Sequence, residues 1–103
     1  MDNILMVSGQ VAINPSDGAL ETSNIEDETK RVMANLKAIL NAAELDFSHV
    51  VKCTIFVKDL ENFARINEVY GSYFGEAPPA RETVEVSRLP KDVNVEISCI
   101  AIR

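Results

Sequence analysis

"HVVKCTIFVKD", residues 49–59, alternates like a β-strand along its length. Val51, Cys53, Ile55 and Val57 fall on one face at period two. The other face carries Val50, Lys52, Thr54 and Phe56, so it too is largely apolar. A strand apolar on both sides belongs inside a layered fold and needs cover on each face. That requirement organises the reading of the rest of the chain.

Upstream, "SNIEDETK" (23–30) opens a helix. Ser23 with Glu26, or Asn24 with Asp27, fits a capping box, and the acidic first turn suits the helix dipole. Val32, Leu36, Ile39, Leu40 and Ala43 follow at helical spacing, so one face packs on a sheet. Before it, "NPSDG" (14–18) is a turn, and "NILMVSGQVAI" (3–13) is a strand interrupted at Ser8-Gly9 by a bulge or a close backbone approach. Downstream, "LENFARINEVYGSYF" (60–74) is a second helix with Phe63, Ile66, Tyr70, Tyr73 and Phe74 as its stripe. "RETVEVSRL" (81–89) and "VNVEISCIAIR" (93–103) flank "PKD", read as a turn joining two antiparallel strands. The order β, α, β, α, β, β predicts one α+β domain over residues 1–103, with both helices on one face of the sheet. Helices on one face leave the other uncovered, so a partner subunit is expected there.

Composition narrows the function. A net charge of −6 argues against a broad nucleic-acid surface, though it leaves room for a local basic pocket. Met1-Asp2-Asn3 is not a basic leader, "ILMV" is too short for a signal core, and no apolar run reaches membrane-spanning length. Cys53 and Cys99 sit in strand-like runs without metal-type spacing and read as buried thiols in a reducing cytoplasm. His49 has no second His or Cys nearby to complete a zinc site.

In "PPARETVEVSRLP" (78–90), Arg81, Thr83, Glu85 and Ser87 share a face opposite Val84 and Val86. In the final strand, Val93, Val95, Ile97, Cys99 and Ala101 take one face; Asn94, Glu96 and Ser98 take the other. If the two strands pair, their polar faces meet and Arg81 stands beside Glu96, with Thr83 and Asn94 nearby. Two readings follow. One is a solvated cross-strand ion pair contributing about 0–1 kcal/mol. The other is a guanidinium fork gripping a carboxylate, with Glu96 holding a water. Pattern alone leaves both open.

"VSGQVAINPSDG" (7–18), "VVKCTIFVKDLENFARINEVYGSYF" (50–74) and "PPAR…VEVSRLPKDVNVEISCIAIR" (78–103) together resemble the RidA/YjgF family of enamine/imine deaminases, over nearly the whole chain and in the same order. The resemblance implies a chorismate mutase-like domain with a mixed β-sheet, assembled as a homotrimer whose sheets form a central barrel with helices outside. It implies sites between adjacent subunits, and hydrolysis of reactive 2-imino acids, such as 2-iminobutanoate and 2-iminopropanoate, to 2-oxo acids and ammonia. No cofactor and no metal are implied. Carried over by position, Arg81 grips the substrate carboxylate and Glu96 positions the attacking water. Thr83 contacts the ligand, the backbone at Ser8 and Gly9 approaches it, and Asn67 lies on the pocket side. Relatives usually carry a further N-terminal strand and a loop whose Tyr lines the pocket; here the sequence starts just before "VSGQ". Tyr70 and Tyr73 belong to the second helix's stripe and are not assigned that role. The resemblance leaves two rivals: a non-catalytic trimer binding small carboxylates through Arg81, and a ribonuclease or translation inhibitor. The negative charge, the single His and the lack of a basic stripe oppose the latter.

Overall fold

The computed structural model describes residues 3–103; Met1 and Asp2, weighed above as a non-basic start, lie outside them. Its strands and helices run β1 (Ile4–Gln10), α1 (Ile25–Ala42), β2 (Val50–Val57), α2 (Phe63–Gly71), β3 (Ala80–Glu85) and β4 (Val95–Ile102). Single 3-10 turns occur at Phe47–His49, Leu60–Asn62 and Pro90–Asp92. The strands form a four-stranded sheet in the order β1-β4-β2-β3. β4 runs antiparallel to both β1 and β2, while β2 and β3 are parallel. The domain is α+β with a mixed sheet, as the sequence led us to expect.

The expected hairpin between the last two strands does not form: β2 lies between them. β3 leaves the sheet at Glu85, and the connection passes the end of β2, where Val86 N donates to Val57 O at 2.9 Å and Lys58 N donates to Asn94 O at 3.0 Å. Residues 86–94 easily cover the separation of about 10 Å between next-nearest strands. "PKD" is one 3-10 turn within this crossover, with Lys91 and Asp92 at φ 59° and 56°. β2, apolar on both faces, takes an interior place.

One face of the sheet is covered. Ile55 and Val57 of β2 and Val95, Ile97, Cys99 and Ala101 of β4 are buried against Val32, Met33, Leu36 and Leu40 of α1 and Ile66 and Tyr70 of α2. Val51, expected on this face, is 43% exposed while Val50 is buried, because the pairing with β4 shifts register between Val50 and Lys52. The start of α1 is fixed by Asn24, whose Oδ1 accepts from Asp27 N at 2.8 Å. A buried carboxylate ties this helix to β4: Glu28 accepts from Asn94 N (2.7 Å), Asn94 Nδ2 (2.7 Å) and Val95 N (3.1 Å). Three donors offset the cost of burying it, and they set where β4 begins. On the open face, Met6 is 74% exposed, and Ile4, Val84 and Ile102 are exposed too.

Candidate carboxylate-binding site

Strand register assigns each predicted site residue to a face. Arg81 of β3 stands opposite Cys53 of β2, which stands opposite Cys99 of β4, and opposed residues share a face. Cys53 and Cys99 are buried beneath the helices, so Arg81 is on the helix-covered face. Thr83, opposite Ile55, is on that face as well. Glu96 stands opposite Phe56, on the open face. Arg81 and Glu96 are therefore separated by a strand and by the thickness of the sheet. The cross-strand pair expected from the hairpin is absent, because β2 intervenes and the polar faces of β3 and β4 point in opposite directions.

The helix α2 supplies the surroundings of Arg81. Nη1 donates to Asn67 Oδ1. The guanidinium lies over the Phe63 ring, 5.3 Å from its centroid, and over the Tyr70 ring at 5.5 Å. Residues 63, 67 and 70 recur on one face of a helix, so α2 offers all three to the same point. Sequence reasoning had Phe63 and Tyr70 only as core stripe; their spacing with Asn67 was the available signal.

Beside them is a cavity of about 400 Å³ whose walls include Asn67, Tyr70, Phe74, Pro78, Pro79 and Arg81. Arg81 is the one charged side chain in that lining. Among the described residues no carboxylate is within ion-pair distance of it. Burial pushes the Tyr70 phenol well above its ordinary range and raises the Cys53 thiol, so these neighbours stay protonated and leave the cation uncompensated. The hydroxyls of Tyr70 and Thr83 are both shielded from solvent; Tyr70 points its hydroxyl at the Cys53 thiol, and Thr83 is without a hydrogen-bond partner. A planar cation, an amide and an unused hydroxyl near an otherwise neutral cavity suit a small carboxylate. A larger groove of about 680 Å³ lies along the start of α1, but its charges, Glu21, Asp27, Lys30 and Arg31, are of both signs and Arg31 is paired with Glu21 at 3.2 Å.

Ser8, Gly9 and Glu96 form a second group. The pairing of β1 with β4 steps from Val7↔Cys99 to Gln10↔Ile97, so Ser8 and Gly9 bulge opposite Ser98. The Glu96 side chain rests on the bare backbone this creates. A Cβ placed on Gly9 would lie 2.6 Å from Glu96 Cδ and 2.8 Å from its Cγ. Any larger residue at position 9 would have to displace the carboxylate. The six predicted residues thus fall into a cation group (Arg81, Thr83, Asn67) and a carboxylate group (Glu96, Gly9, Ser8).

Among the described residues no cluster of His, Cys, Asp or Glu is arranged to hold a metal, and no helix is long and apolar enough to cross a membrane. His49 is engaged locally: its Nδ1 accepts from Asp46 N at 3.1 Å in the turn before β2.

The family model described as "Endoribonuclease L-PSP" matches residues 1–103. The chain is 50% identical over 101 residues to a RutC family protein of Pyrococcus horikoshii, covering 98% of this chain and 80% of that one. It is 42% identical over 106 residues to the 2-iminobutanoate/2-iminopropanoate deaminase of Escherichia coli, covering all of this chain and 82% of that one. The crystal structure of a putative endoribonuclease from Thermotoga maritima superposes with a TM-score of 0.95 at 46% identity, over 98% of this chain and 80% of that one.

Proposed function

The chain belongs to the endoribonuclease L-PSP (RidA/YjgF) family, and on that premise we propose that it is an imine deaminase hydrolysing small 2-imino acids, such as 2-iminobutanoate and 2-iminopropanoate, to 2-oxo acids and ammonia. The observation that carries this reading is Arg81, a cation with no ion-pair partner among the described residues, in a cavity with no other charged wall. Its fork takes the substrate carboxylate, and Asn67 and Thr83 complete that end. Glu96 orients a water. The water oxygen adds to the carbon of the protonated C=N bond while Glu96 takes its proton. The carbinolamine then collapses: Glu96 returns that proton to nitrogen, the C–N bond breaks as the hydroxyl oxygen forms the new carbonyl, the hydroxyl proton passes to the Glu96 carboxylate, and ammonia leaves a 2-oxo acid. A protonated imine carbon is already electrophilic, so the step requires no cofactor.

Arg81 and Glu96 of one chain face opposite ways, so a site containing both draws them from two copies. This supports sites between subunits, as in the homotrimer we propose. The apolar side chains of the open face call for the same cover. Reactive imines arise from cytoplasmic amino-acid metabolism, and we place the protein there. Ribonuclease chemistry fits poorly with net charge −6 and with a lone histidine committed to a turn.

The test is an assay in which a pyridoxal-phosphate-dependent dehydratase generates 2-iminobutanoate in place. Faster imine decay, with matching ammonia release, is expected when the protein is added. Decay no faster than in buffer, with 2-oxobutanoate still bound, would instead point to a carboxylate-binding protein.

A further inference from the structure

An arginine that recognises an anion must be oriented without being neutralised. An Asp or Glu beside Arg81 would orient it, but would compete with any incoming carboxylate. The α2 stripe orients it by other means. Asn67 takes one N–H of Nη1, and the faces of Phe63 and Tyr70 hold the cation through their ring quadrupoles at 5.3 and 5.5 Å. None of the three carries negative charge. With one Nη1 hydrogen engaged, the edge formed by Nε and Nη2 keeps both of its parallel N–H donors, the pair that matches a planar carboxylate.

Resting on the reading of Arg81 as a carboxylate anchor, we propose that Phe63 and Tyr70 are positioning residues that fix the plane of its guanidinium and present the Nε–Nη2 edge to the substrate. Their effect is preorganisation: a side chain ordered before binding does not have to be ordered during it. The role of Tyr70 lies in its ring. Its hydroxyl is buried against the Cys53 thiol and is dispensable for this purpose. Phe63, only partly buried, can be changed without opening the core.

The experiment compares the full chain with Phe63→Leu, Tyr70→Leu and Tyr70→Phe. The readouts are the Arg81 side-chain nitrogen resonances without ligand, the Kd for 2-oxobutanoate, kcat and KM on 2-iminobutanoate, and thermal stability. Hindered rotation should keep the Arg81 Nη signals distinct in the parent and in Tyr70→Phe, and merge them in both Leu variants. The Leu variants should raise Kd and KM by about 2–5-fold, the scale of a lost cation–π contact at an exposed guanidinium, with kcat within about twofold. A purely structural role would lower stability and leave the Kd of the folded fraction unchanged. Phe63→Leu with parent-like Arg81 resonances and Kd overturns the proposal, whatever happens to Tyr70→Leu. Tyr70→Phe as damaging as Tyr70→Leu overturns it too, by moving the role to the hydroxyl. If the parent binds no 2-oxobutanoate while the resonances behave as expected, the proposed function fails and the positioning role stands.

Discussion

The covered and open faces of the sheet each hold one of the two charged groups on which the proposed reaction depends, and they hold them differently. On the covered face, Arg81 is met on several sides by α2: an amide from Asn67 and two aromatic rings. On the open face, Glu96 lies where a side chain is missing, over Gly9 in the β1 bulge. A position defined by contacts can be weakened one contact at a time. A position defined by a vacancy is changed by any addition, because the added atoms displace the carboxylate that rests there. Damage on the first face should therefore appear as lost binding, and damage on the second as lost turnover.

The widest separation between the faces is expected from Glu96→Gln set beside Arg81→Ala. Glu96→Gln should cut kcat by about 10²–10⁴, the span of a positioned acid–base group, with little change in the affinity for 2-oxobutanoate. Arg81→Ala should instead weaken that affinity by about 2–5 kcal/mol while the fold persists. Equal losses of binding and turnover in Glu96→Gln would make Glu96 a ligand contact and erase the contrast.

Gly9→Ala comes next. The new methyl meets the Glu96 carboxylate, and the displacement should cost about 1–3 kcal/mol, read as lower resistance to urea, slower turnover or both. Carboxylate affinity at Arg81 should stay as it was. A Gly9→Ala protein as stable and active as the parent would show that the vacancy does not matter.

The smallest effect concerns the contact between the helices themselves. Arg65 binds both oxygens of Glu26, at 2.6 and 2.7 Å, and holds its carboxyl at about 2, below the usual 4.5. A depressed carboxyl adds stability that is complete above its unfolded value and is lost as pH falls from about 4.5 towards 2. Both partners are solvent-exposed, so the change should be slight and should shrink with salt. A Glu26 midpoint near 4.5 by NMR titration would break it, and Arg65→Met should raise the midpoint part of the way, because the backbone N–H of Glu26 and nearby Lys30 still favour the carboxylate.

Much of this arrangement is legible in the sequence. Two-sided apolarity in residues 49–59 marks an interior strand, helical spacing marks both helices, and Ser8-Gly9 marks the bulge. What period-two alternation cannot supply is which strand lies next to which. It assigns residues to the two sides of one strand and is silent about neighbours, so β3 and β4, close in sequence and both alternating, looked like a hairpin. The second loss has a chemical cause. β3 is inverted: Arg81 and Thr83 face inward towards α2, while Val84 faces out and is 44% exposed. Polar-in, apolar-out is the reverse of an ordinary half-buried strand. Here it marks a cavity with one cation in its wall on the inner side and an apolar face on the outer. The partnership of Arg81 with α2 depends on how that helix lies across the strands, which no local pattern encodes.

The strand order also governs events in time. Among the described strands β4 follows β1, β2 and β3 in sequence, yet it lies between β1 and β2. Glu28 likewise waits for donors at Asn94 and Val95, 66 and 67 residues further on. As the polypeptide emerges from a ribosome, β1, α1 and β2 are made early and have no sheet that joins them. Long-range closure of this kind slows folding and prolongs the exposure of unpaired strands. Within this sheet β1 joins only through β4, so it can take its place there only after Val95–Ile102 have been made.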